Sequence, residues 1–396
     1  MDHERSATGV RPRTPYSAAT ITVNADAEDL MRAIRLTAPD TADVVERPTP
    51  VPEVGEVLIR IVRAGLCGTD VGLFRGTMPY LVDGRTRYPV QPGHEWAGEV
   101  VTLGAASTGP GRPDTTTPDT NAPDTAALQP GDLVTGDTFI GCDACTFCRA
   151  GRHHLCETHV ELGVLGKSEG ALGEYLVVPA RAVHRLPDGL GVDLGALIEP
   201  ASCSLRGVRV TGVSADDRVL VWGAGTLGML AALFAARTGA TVGVVARRES
   251  DRRFVESFGL RAIDPAELGH AHLPQAAQQP ASSSRYDVII EATGSPEVTR
   301  RLLDDAAPGV RIALLGVPGE DVGLPTNRLI PLDATVHAVL GGSAHIDEAA
   351  SLLLELDEQA RRLIGTVIAL DDVPSALAAG LPRPAGGGPK TQVRLA

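Results

Sequence analysis

One stretch of the chain carries residue types that could bind a catalytic metal ion. It opens with Cys67, Thr69 and Asp70 and closes with His94 and Glu95. Thiolates, imidazoles and carboxylates are zinc ligands, and a zinc ion with an open position can activate a substrate oxygen. A cysteine and a histidine this far apart are more often a core thiol and an unrelated ring. The stretch therefore needs support from elsewhere in the chain.

Four cysteines further along form a compact cluster with the spacing Cys-x2-Cys-x2-Cys-x7-Cys. Four thiolates within so short a span can surround one ion as a tetrahedron, and this arrangement is typical of a structural zinc site. An iron–sulfur cluster would use the same ligands, but the remaining motifs favour zinc. The predicted ligands of this second zinc are Cys142, Cys145, Cys148 and Cys156.

A glycine-rich loop follows the apolar run 219–222 and precedes the apolar helical segment 229–237. This context is the one that the GxGxxG motif needs in order to bind a dinucleotide, because the pyrophosphate then lies at a helix N-terminus. A glycine-rich turn in a flavodoxin-like sheet is the alternative. The predicted cofactor contacts are Gly223, Gly225, Thr226, Leu227 and Gly228.

The residues after the next predicted strand, 241–245, bear on the choice of cofactor. An NAD-binding protein usually has an acidic residue here that accepts a hydrogen bond from the ribose 2′-hydroxyl. This chain has Ala246, Arg247 and Arg248 instead. Two guanidinium groups can bind a 2′-phosphate through forked hydrogen bonds, so NADP is favoured and NAD remains possible.

The pattern of apolar segments predicts an α/β protein with two kinds of domain. Short strands separated by Gly and Pro indicate a β-rich, barrel-like domain, and alternating strands and helices after about residue 200 indicate a doubly wound parallel sheet. Two polar segments, 105–128 and about 270–285, are predicted to be inserted flexible loops. The predicted bounds are a flexible extension at 1–30, a catalytic domain at 31–198 with its zinc lobe at 142–156, a Rossmann domain at 199–340, and a return to the catalytic domain at 341–396.

Composition excludes several classes of partner. The net charge of −13 over 396 residues predicts repulsion from nucleic acids and anionic membranes. No apolar run approaches the roughly 20 residues that a membrane-spanning helix needs, and no secretory signal is recognisable. We therefore expect a cytoplasmic enzyme of a small-molecule substrate, in which the six cysteines are more often metal ligands than disulfides.

Taken together, these motifs resemble those of zinc-dependent medium-chain dehydrogenases/reductases, in the same order along the chain. The resemblance covers about residues 31–396. Within the family, the Glu-Pro pair resembles the polyol and sugar branch, and two segments, 88–96 and 161–164, are similar to cyclitol dehydrogenases of the 2-deoxy-scyllo-inosamine type. The segment 247–249 is similar to archaeal glucose dehydrogenases. The motifs are CGTD at 67–70, GHE at 93–95, the four-cysteine cluster, LIEP at 197–200 and the glycine loop.

The resemblance implies a GroES-like catalytic domain, two zinc ions per chain and a homodimer or homotetramer. It makes Cys67, His94 and Glu199 the expected ligands of the catalytic zinc. Glu95 would be a nearby carboxylate or a ligand that exchanges with water. Thr69 would relay the substrate proton and Asp70 would orient the His94 ring. The implied reaction is hydride transfer between NAD(P) and a secondary alcohol or ketone of a polyol, sugar or cyclitol.

Two other functions remain open from the sequence. One is a simple alcohol dehydrogenase or a threonine dehydrogenase, although Glu199 in place of a cysteine disfavours the former. The other is an NADPH-binding regulatory protein without turnover, which would keep the structural zinc alone. A pure binding protein has no need of an open metal site, so Cys67, Thr69 and His94 favour an enzyme.

Overall fold

The computed structural model describes residues 30–104, 128–166, 168–269, 285–381 and 383–395. The extension 1–30 and the segments 105–128 and 270–285 lie outside these residues, apart from Leu30, Leu128 and Arg285. Leu30 begins the first strand, and Leu128 is buried in a hydrophobic core, so the order of the chain extends slightly into two of the segments expected to be flexible.

Strands alternate with short helices in the first half of the described chain and with longer helices in the second half. The strands are β1 (Leu30–Ala38), β2 (Thr41–Pro48), β3 (Glu56–Leu66), β4 (Glu95–Leu103), β5 (Leu133–Gly136), β6 (Phe139–Ile140), β7 (Val160–Glu161), β8 (Tyr175–Pro179), β9 (Val183–Arg185), β10 (Arg218–Trp222), β11 (Thr241–Val245), β12 (Arg261–Ile263), β13 (Tyr286–Glu291), β14 (Ala306–Leu314), β15 (Thr335–Ala338), β16 (Ile364–Ala369) and β17 (Lys390–Arg394).

The helices differ in length between the two halves, because the first half of the chain has helices mainly as connections between strands. In the second half they cover the parallel sheet. The helices are α1 (Gly68–Arg75), α2 (Pro79–Val82), α3 (Thr146–Arg149), α4 (Val192–Gly195), α5 (Ile198–Val210), α6 (Thr226–Arg237), α7 (Glu249–Glu256), α8 (Pro296–Arg301), α9 (Thr326–Leu329), α10 (Ile346–Glu355), α11 (Asp357–Arg361) and α12 (Val373–Ala378).

The first sheet is mostly antiparallel and contains strands from both ends of the chain. Its strand order is β16-β17-β3-β4-β5-β9, and β8 pairs with β3. Long β-branched runs such as that of β3 have the period and composition of buried strands. The last strand, β17, pairs with β3 in antiparallel register, so the C-terminus returns to the sheet that contains the first zinc motif.

The second sheet has the strand order β12-β11-β10-β13-β14-β15, and every pairing in it is parallel. This order places β10, the first strand of the unit, at the centre: β11 and β12 are added on one side of it, and β13, β14 and β15 on the other. Dinucleotides bind at such a reversal, outside the carboxyl ends of the strands. The protein is therefore an α/β protein with a GroES-like β-rich part and a Rossmann-type parallel sheet, as the sequence predicts. The individual domain bounds stay predictions.

One helix is shorter than its sequence pattern suggests. The apolar period favours a helix over 296–306, but α8 ends at Arg301. Ala306 pairs with Tyr286 at the edge of β13, so the chain is already part of β14 at that residue. Tertiary pairing has overridden local helix propensity here.

None of the described helices is both long and apolar enough to cross a membrane. The longest of them, α5, has thirteen residues and includes Glu199 and two arginines.

Candidate functional site

The first zinc motif is divided between two neighbouring strands. Cys67 follows β3 directly and caps α1, while His94 and Glu95 lie at the start of β4, which pairs with β3. One donor atom from each of these three residues lies within 4.8 Å of the other two. A thiolate, an imidazole and a carboxylate at this separation suit a zinc ion. The sheet register therefore brings together residues that are far apart in sequence.

Asp70 contacts both Cys67 and His94. Its side chain is fully buried, and its Oδ2 accepts a hydrogen bond of 2.8 Å from the backbone N–H of Cys67. Its Oδ1 lies 3.8 Å from Nδ1 of His94. Because Nδ1 faces this carboxylate, Nε2 is the ring nitrogen left for a metal ion.

Thr69 lies beside the same thiol, with its Oγ1 3.8 Å from Sγ of Cys67. The residue is partly exposed, in contrast to Asp70. A hydroxyl can accept and donate a hydrogen bond at once, so its position suits transfer of a proton out of the site.

Glu95 is bound by a residue that the sequence did not point to. Nζ of Lys390 lies 2.7 Å from Oε1 of Glu95 and 3.0 Å from the carbonyl oxygen of Leu66. Lys390 and Glu95 are 3% and 1% exposed, so this ion pair is shielded from water. Burial by itself would lower the pKa of Lys390, but the carboxylate of Glu95 and the thiol of Cys67 outweigh burial and raise it.

The ion pair crosses the middle strand of three. Lys390 is on β17 and Glu95 on β4, and β3 lies between them. Gly65 of β3 pairs with Glu95, and a Cβ at Gly65 would lie 2.0 Å from Oε2 of Glu95. The absence of a side chain at Gly65 is therefore what lets the lysine reach the carboxylate.

Glu199 lies in the first turn of α5, and it does not belong to the group of donor atoms formed by Cys67, His94 and Glu95. It acts electrostatically on His94, and burial raises the pKa of its carboxyl group. Its Oε1 accepts from the thiol of Cys203 at 3.3 Å. Cys203 is the one cysteine outside both predicted zinc sites, and it binds this carboxylate from one helical turn away.

The four-cysteine cluster is formed as its spacing predicts. One sulfur from each of Cys142, Cys145, Cys148 and Cys156 lies within 4.8 Å of the others. Backbone N–H groups, that of Ala144 first, lower the pKa of Cys142 to about 6. Burial raises the pKa of Cys148. Four sulfur atoms at this separation fit a tetrahedral zinc ion, which binds them as thiolates.

The glycine loop connects β10 to α6, and each of its glycines has a different role. Gly223 has a φ of +106°, which few other residues adopt. A Cβ at Gly228 would lie 1.9 Å from the carbonyl oxygen of Gly223, so the helix packs closely on the loop. A Cβ at Gly225 would meet nothing within 4 Å, which leaves open space at the helix N-terminus. Thr226 and Leu227 are partly exposed at the same end.

Three arginines lie around this open space. Arg247 and Arg248 are exposed at the end of β11, as a phosphate-binding pair requires. The third, Arg383, comes from the C-terminal segment and was not singled out in the sequence. Its Nη1 donates to the carbonyl oxygen of Ala224 at 2.8 Å and lies 3.3 Å from Asp251, while its Nη2 is buried without a partner among the described residues.

A cavity of about 470 Å3 lies at the carboxyl ends of β13 and β14. Glu291, Leu314 and Gly316 line it from the parallel sheet, and Pro79 of α2 lines it from the β-rich part. Its size is within the usual range for small-molecule sites. The cavity thus lies between the parallel sheet and Pro79 of α2.

Comparisons with known proteins agree with this architecture. Residues 53–188 match the family model of the alcohol dehydrogenase GroES-like domain, and residues 192–381 match that of the glucose dehydrogenase C-terminus. A protein from Sinorhizobium meliloti 1021, described as a zinc-binding dehydrogenase and solved with NADP bound, is 29% identical with a TM-score of 0.76. The match covers 93% of this chain and all of that one.

Two curated relatives are similar in sequence. An L-threonine 3-dehydrogenase of Saccharopolyspora erythraea is 31% identical over 317 residues, which are 78% of this chain and 84% of that protein. A zinc-type alcohol dehydrogenase-like protein of Haemophilus influenzae is 27% identical over 88% of this chain and 94% of its own length.

The two donor clusters predict two zinc ions per chain with different structural roles. Cys148→Ser should remove one zinc and lower the melting temperature, because it opens a closed thiolate site that cross-links its lobe. Cys67→Ser should remove the other zinc with a smaller change in melting temperature. Elemental analysis and calorimetry of the purified variants measure both effects. A wild-type protein with one zinc would contradict the assignment of two sites.

The missing side chain at Gly65 should matter for the stability of the fold. Gly65→Ala should displace Glu95 and separate it from Lys390, which leaves buried charges unpaired and lowers the free energy of unfolding by about 3 kcal/mol. Gly68→Ala is the matched control, because a Cβ there meets nothing within 4 Å. Urea unfolding of both variants gives the comparison, and equal stability of the two would exclude this role for Gly65.

Proposed function

The chain belongs to the zinc-dependent medium-chain dehydrogenase family, and we propose that it oxidises a secondary alcohol of a polyol, sugar or cyclitol, or reduces the matching ketone, with NADP. The enzyme class follows from the family, whose members act on alcohols. The observation that carries the proposal is the convergence of Cys67, His94 and Glu95 at separations that suit a zinc ion, in a chain that also has a Rossmann-type parallel sheet. A regulatory protein without turnover loses its support, because the relatives are dehydrogenases.

The protein's own groups divide the work of this reaction. Zinc held by Cys67 and His94 would polarise the substrate oxygen, and NADP would accept the hydride. Asp70 keeps the His94 ring in its ligand orientation. The hydroxyl of Thr69, beside the Cys67 sulfur, receives the proton that the substrate alcohol loses.

Glu199 is our choice for the third protein ligand. Lys390 binds Oε1 of Glu95 and the salt bridge neutralises that carboxylate, so moving Glu95 to the metal would leave a buried ammonium group unpaired. The donor group at the site contains Glu95 and not Glu199, so this choice requires the Glu199 side chain to turn toward the metal. Oε1 of Glu199 accepts a hydrogen bond from the thiol of Cys203, which leaves its second oxygen for a metal ion. Glu95 then stabilises the site through Lys390 and by its charge.

The nucleotide loop and the zinc motif are joined by α5. Glu199 is in the first turn of this helix, and Oγ of Ser204 further along it donates to the carbonyl oxygen of Leu227 at 3.0 Å. Leu227 lies in the glycine motif at the start of α6. This hydrogen bond supports a fixed placement of α5, which carries Glu199, relative to the glycine loop at the start of α6.

The preference for NADP rests on charge. Ala246 is buried and neutral, and Arg247 and Arg248 are exposed beside it, so the position where NAD-binding proteins usually have an acidic residue carries no carboxylate. Arg383 adds a third guanidinium whose Nη2 has no partner in the described chain. The solved relative that carries NADP is consistent with this preference.

Threonine oxidation is the second candidate. The relative from Saccharopolyspora erythraea is named for that reaction, and it shares 31% of its residues with this chain over the aligned region. L-Threonine is also a secondary alcohol, so the same metal and cofactor would serve. A substrate panel of polyols, aldoses, aminocyclitols and L-threonine, followed by NADPH absorbance, separates the two candidates.

Turnover should depend on the zinc thiol. Cys67→Ala should reduce kcat with any accepted alcohol by at least about 1000-fold, because oxygen polarisation contributes several kcal/mol to the reaction. Its circular dichroism spectrum should remain that of the wild type, since the metal at this site is not needed to close the fold. Activity retained within tenfold would rule out the zinc mechanism.

Cofactor selection should depend on the arginine pair. Arg247→Ala combined with Arg248→Ala should lower kcat/KM for NADP by about 10- to 100-fold and leave kcat/KM for NAD within about threefold, as expected for two lost charge-assisted contacts. Arg253→Ala is the control, because Arg253 is exposed in α7 and pairs with Glu249. A wild-type preference for NAD would overturn the assignment.

A further inference from the structure

Gln91 is a buried amide that precedes the predicted zinc ligand His94 in the chain and has no part in the sites described above. The residue is 2% exposed. Its Oε1 accepts a hydrogen bond of 2.9 Å from Nη1 of Arg47, and its Nε2 donates to the carbonyl oxygen of Gly170 at 2.6 Å. A guanidinium group can only donate and a carbonyl oxygen can only accept, so both ends of the amide are used.

A charged cluster holds the guanidinium group that binds Gln91. Arg47 lies on β2, and it donates to the carboxylate of Glu169 as well as to the amide. Arg35 of β1 donates to the other oxygen of Glu169 at 3.1 Å. The three charged side chains are about a quarter exposed, so water screens these ion pairs only in part. The cluster therefore fixes Oε1 of Gln91 relative to β1 and β2.

The backbone between Gln91 and His94 is attached to a second segment of the chain. The carbonyl oxygens of residues 91–93 all accept hydrogen bonds from backbone N–H groups of the segment 170–172. The bonds run from Gly170 to Gln91 at 2.9 Å, from Leu172 to Pro92 at 3.0 Å and from Ala171 to Gly93 at 2.8 Å. The donation from the Gln91 amide to Gly170 therefore adds a side-chain bond at the start of this run of contacts, which ends next to His94.

The two segments approach each other too closely for either to move alone. Gly93 has a φ of +106°, and a Cβ there would lie 2.6 Å from the backbone nitrogen of Leu172. A Cβ at Gly170 would lie 2.3 Å from the carbonyl oxygen of Pro92. Packed backbones of this kind transmit a displacement instead of absorbing it. A shift of the segment 170–172 would therefore reach the backbone of His94.

We propose that Gln91 is a positioning residue for the catalytic zinc, because it fixes the backbone that carries His94 against the segment 170–172. This inference rests on the proposed function, in which His94 is a zinc ligand, and it adds a residue that does not touch the metal. Asp70 constrains the ring of His94 at Nδ1, whereas Gln91 constrains its main chain. Metal sites lose affinity when the groups that orient a ligand are removed.

Zinc affinity tests this role directly. Gln91→Met keeps the length of the side chain and removes both hydrogen bonds. It should raise the dissociation constant of the zinc at Cys67 and His94 about tenfold, and leave that of the four-cysteine zinc unchanged. Competition with a chromophoric chelator, followed by metal analysis of the protein, measures the two zinc ions separately. An unchanged affinity for the first zinc would overturn the proposal.

A spectroscopic signature reports the arrangement of the ligands. When Co2+ replaces zinc, its visible absorption bands depend on coordination geometry. Because the four-cysteine site is the same in both proteins, the difference between the spectra of wild type and Gln91→Met reports the site at Cys67 and His94. The bands should shift in the variant, and identical spectra would count against the role of Gln91.

Two further variants separate positioning from stability. Gln91→Glu keeps an acceptor for Arg47 but loses the donor to Gly170, so its zinc affinity should lie between those of the wild type and Gln91→Met. Thr211→Val is the control, because it removes another buried hydrogen bond, from Oγ1 to the carbonyl oxygen of Gly207 at 2.8 Å. It should lower the melting temperature and leave zinc affinity and the cobalt spectrum unchanged. Equal losses of zinc affinity in Thr211→Val and Gln91→Met would reduce Gln91 to a stabilising residue and overturn the proposal.

Hydrogen exchange gives a readout that needs neither metal nor turnover. The amides of the segment 170–172 should exchange faster in Gln91→Met than in the wild type, because the contacts with residues 91–93 open more often. Faster exchange with unchanged zinc affinity and cobalt spectrum would overturn the inference. If the wild type oxidises no alcohol, the proposed function fails, while the zinc affinities and cobalt spectra still support or overturn the role of Gln91.

Discussion

The buried ion pair between Lys390 and Glu95 is the constraint on which the site depends. It joins β17, the last strand of the chain, to β4, which begins with the second half of the zinc motif. The pair can form because the strand between them has Gly65 where a side chain would collide with Glu95. A charge pair in this position costs desolvation that its attraction must offset. It also gives Glu95 a buried cationic partner, whereas Glu199 accepts a hydrogen bond from the thiol of Cys203.

Single elements also connect the zinc motif to the nucleotide loop. One helix, α5, carries Glu199 at its start and binds the glycine loop through Ser204. The C-terminal segment contributes both Lys390 to the zinc motif and Arg383 to the nucleotide loop. Metal, cofactor and substrate groups are therefore positioned by a few elements that contact both sheets. A shift of one element would change several groups at once, and this coupling suits a reaction that needs a fixed distance between alcohol and cofactor.

The four-cysteine cluster and the glycine loop were readable from the sequence because their residues are close along the chain. Short spacing limits where the backbone can place the side chains, so the pattern alone predicts the geometry. The strand 241–245 was predicted with its observed bounds for a similar reason, since its buried run is bordered by turn residues. The helix after Pro296 was predicted too long, because pairing of Ala306 with β13 decided its end. Little in the sequence indicated that Lys390 belongs to the site, apart from its being one of two lysines in a chain rich in arginine.

The sequence by itself determined the fold class, the two sets of zinc-binding residue types, the nucleotide motif and the family they resemble. Periodicity and local spacing are sufficient for these, because they depend on neighbours in the chain. Tertiary structure decided what each carboxylate does. Glu95 and Glu199 look alike in sequence, yet one is paired with a lysine and the other with a thiol. Those differences arise from strands and helices that meet only when the chain is folded, and burial then sets the cost of each unpaired charge.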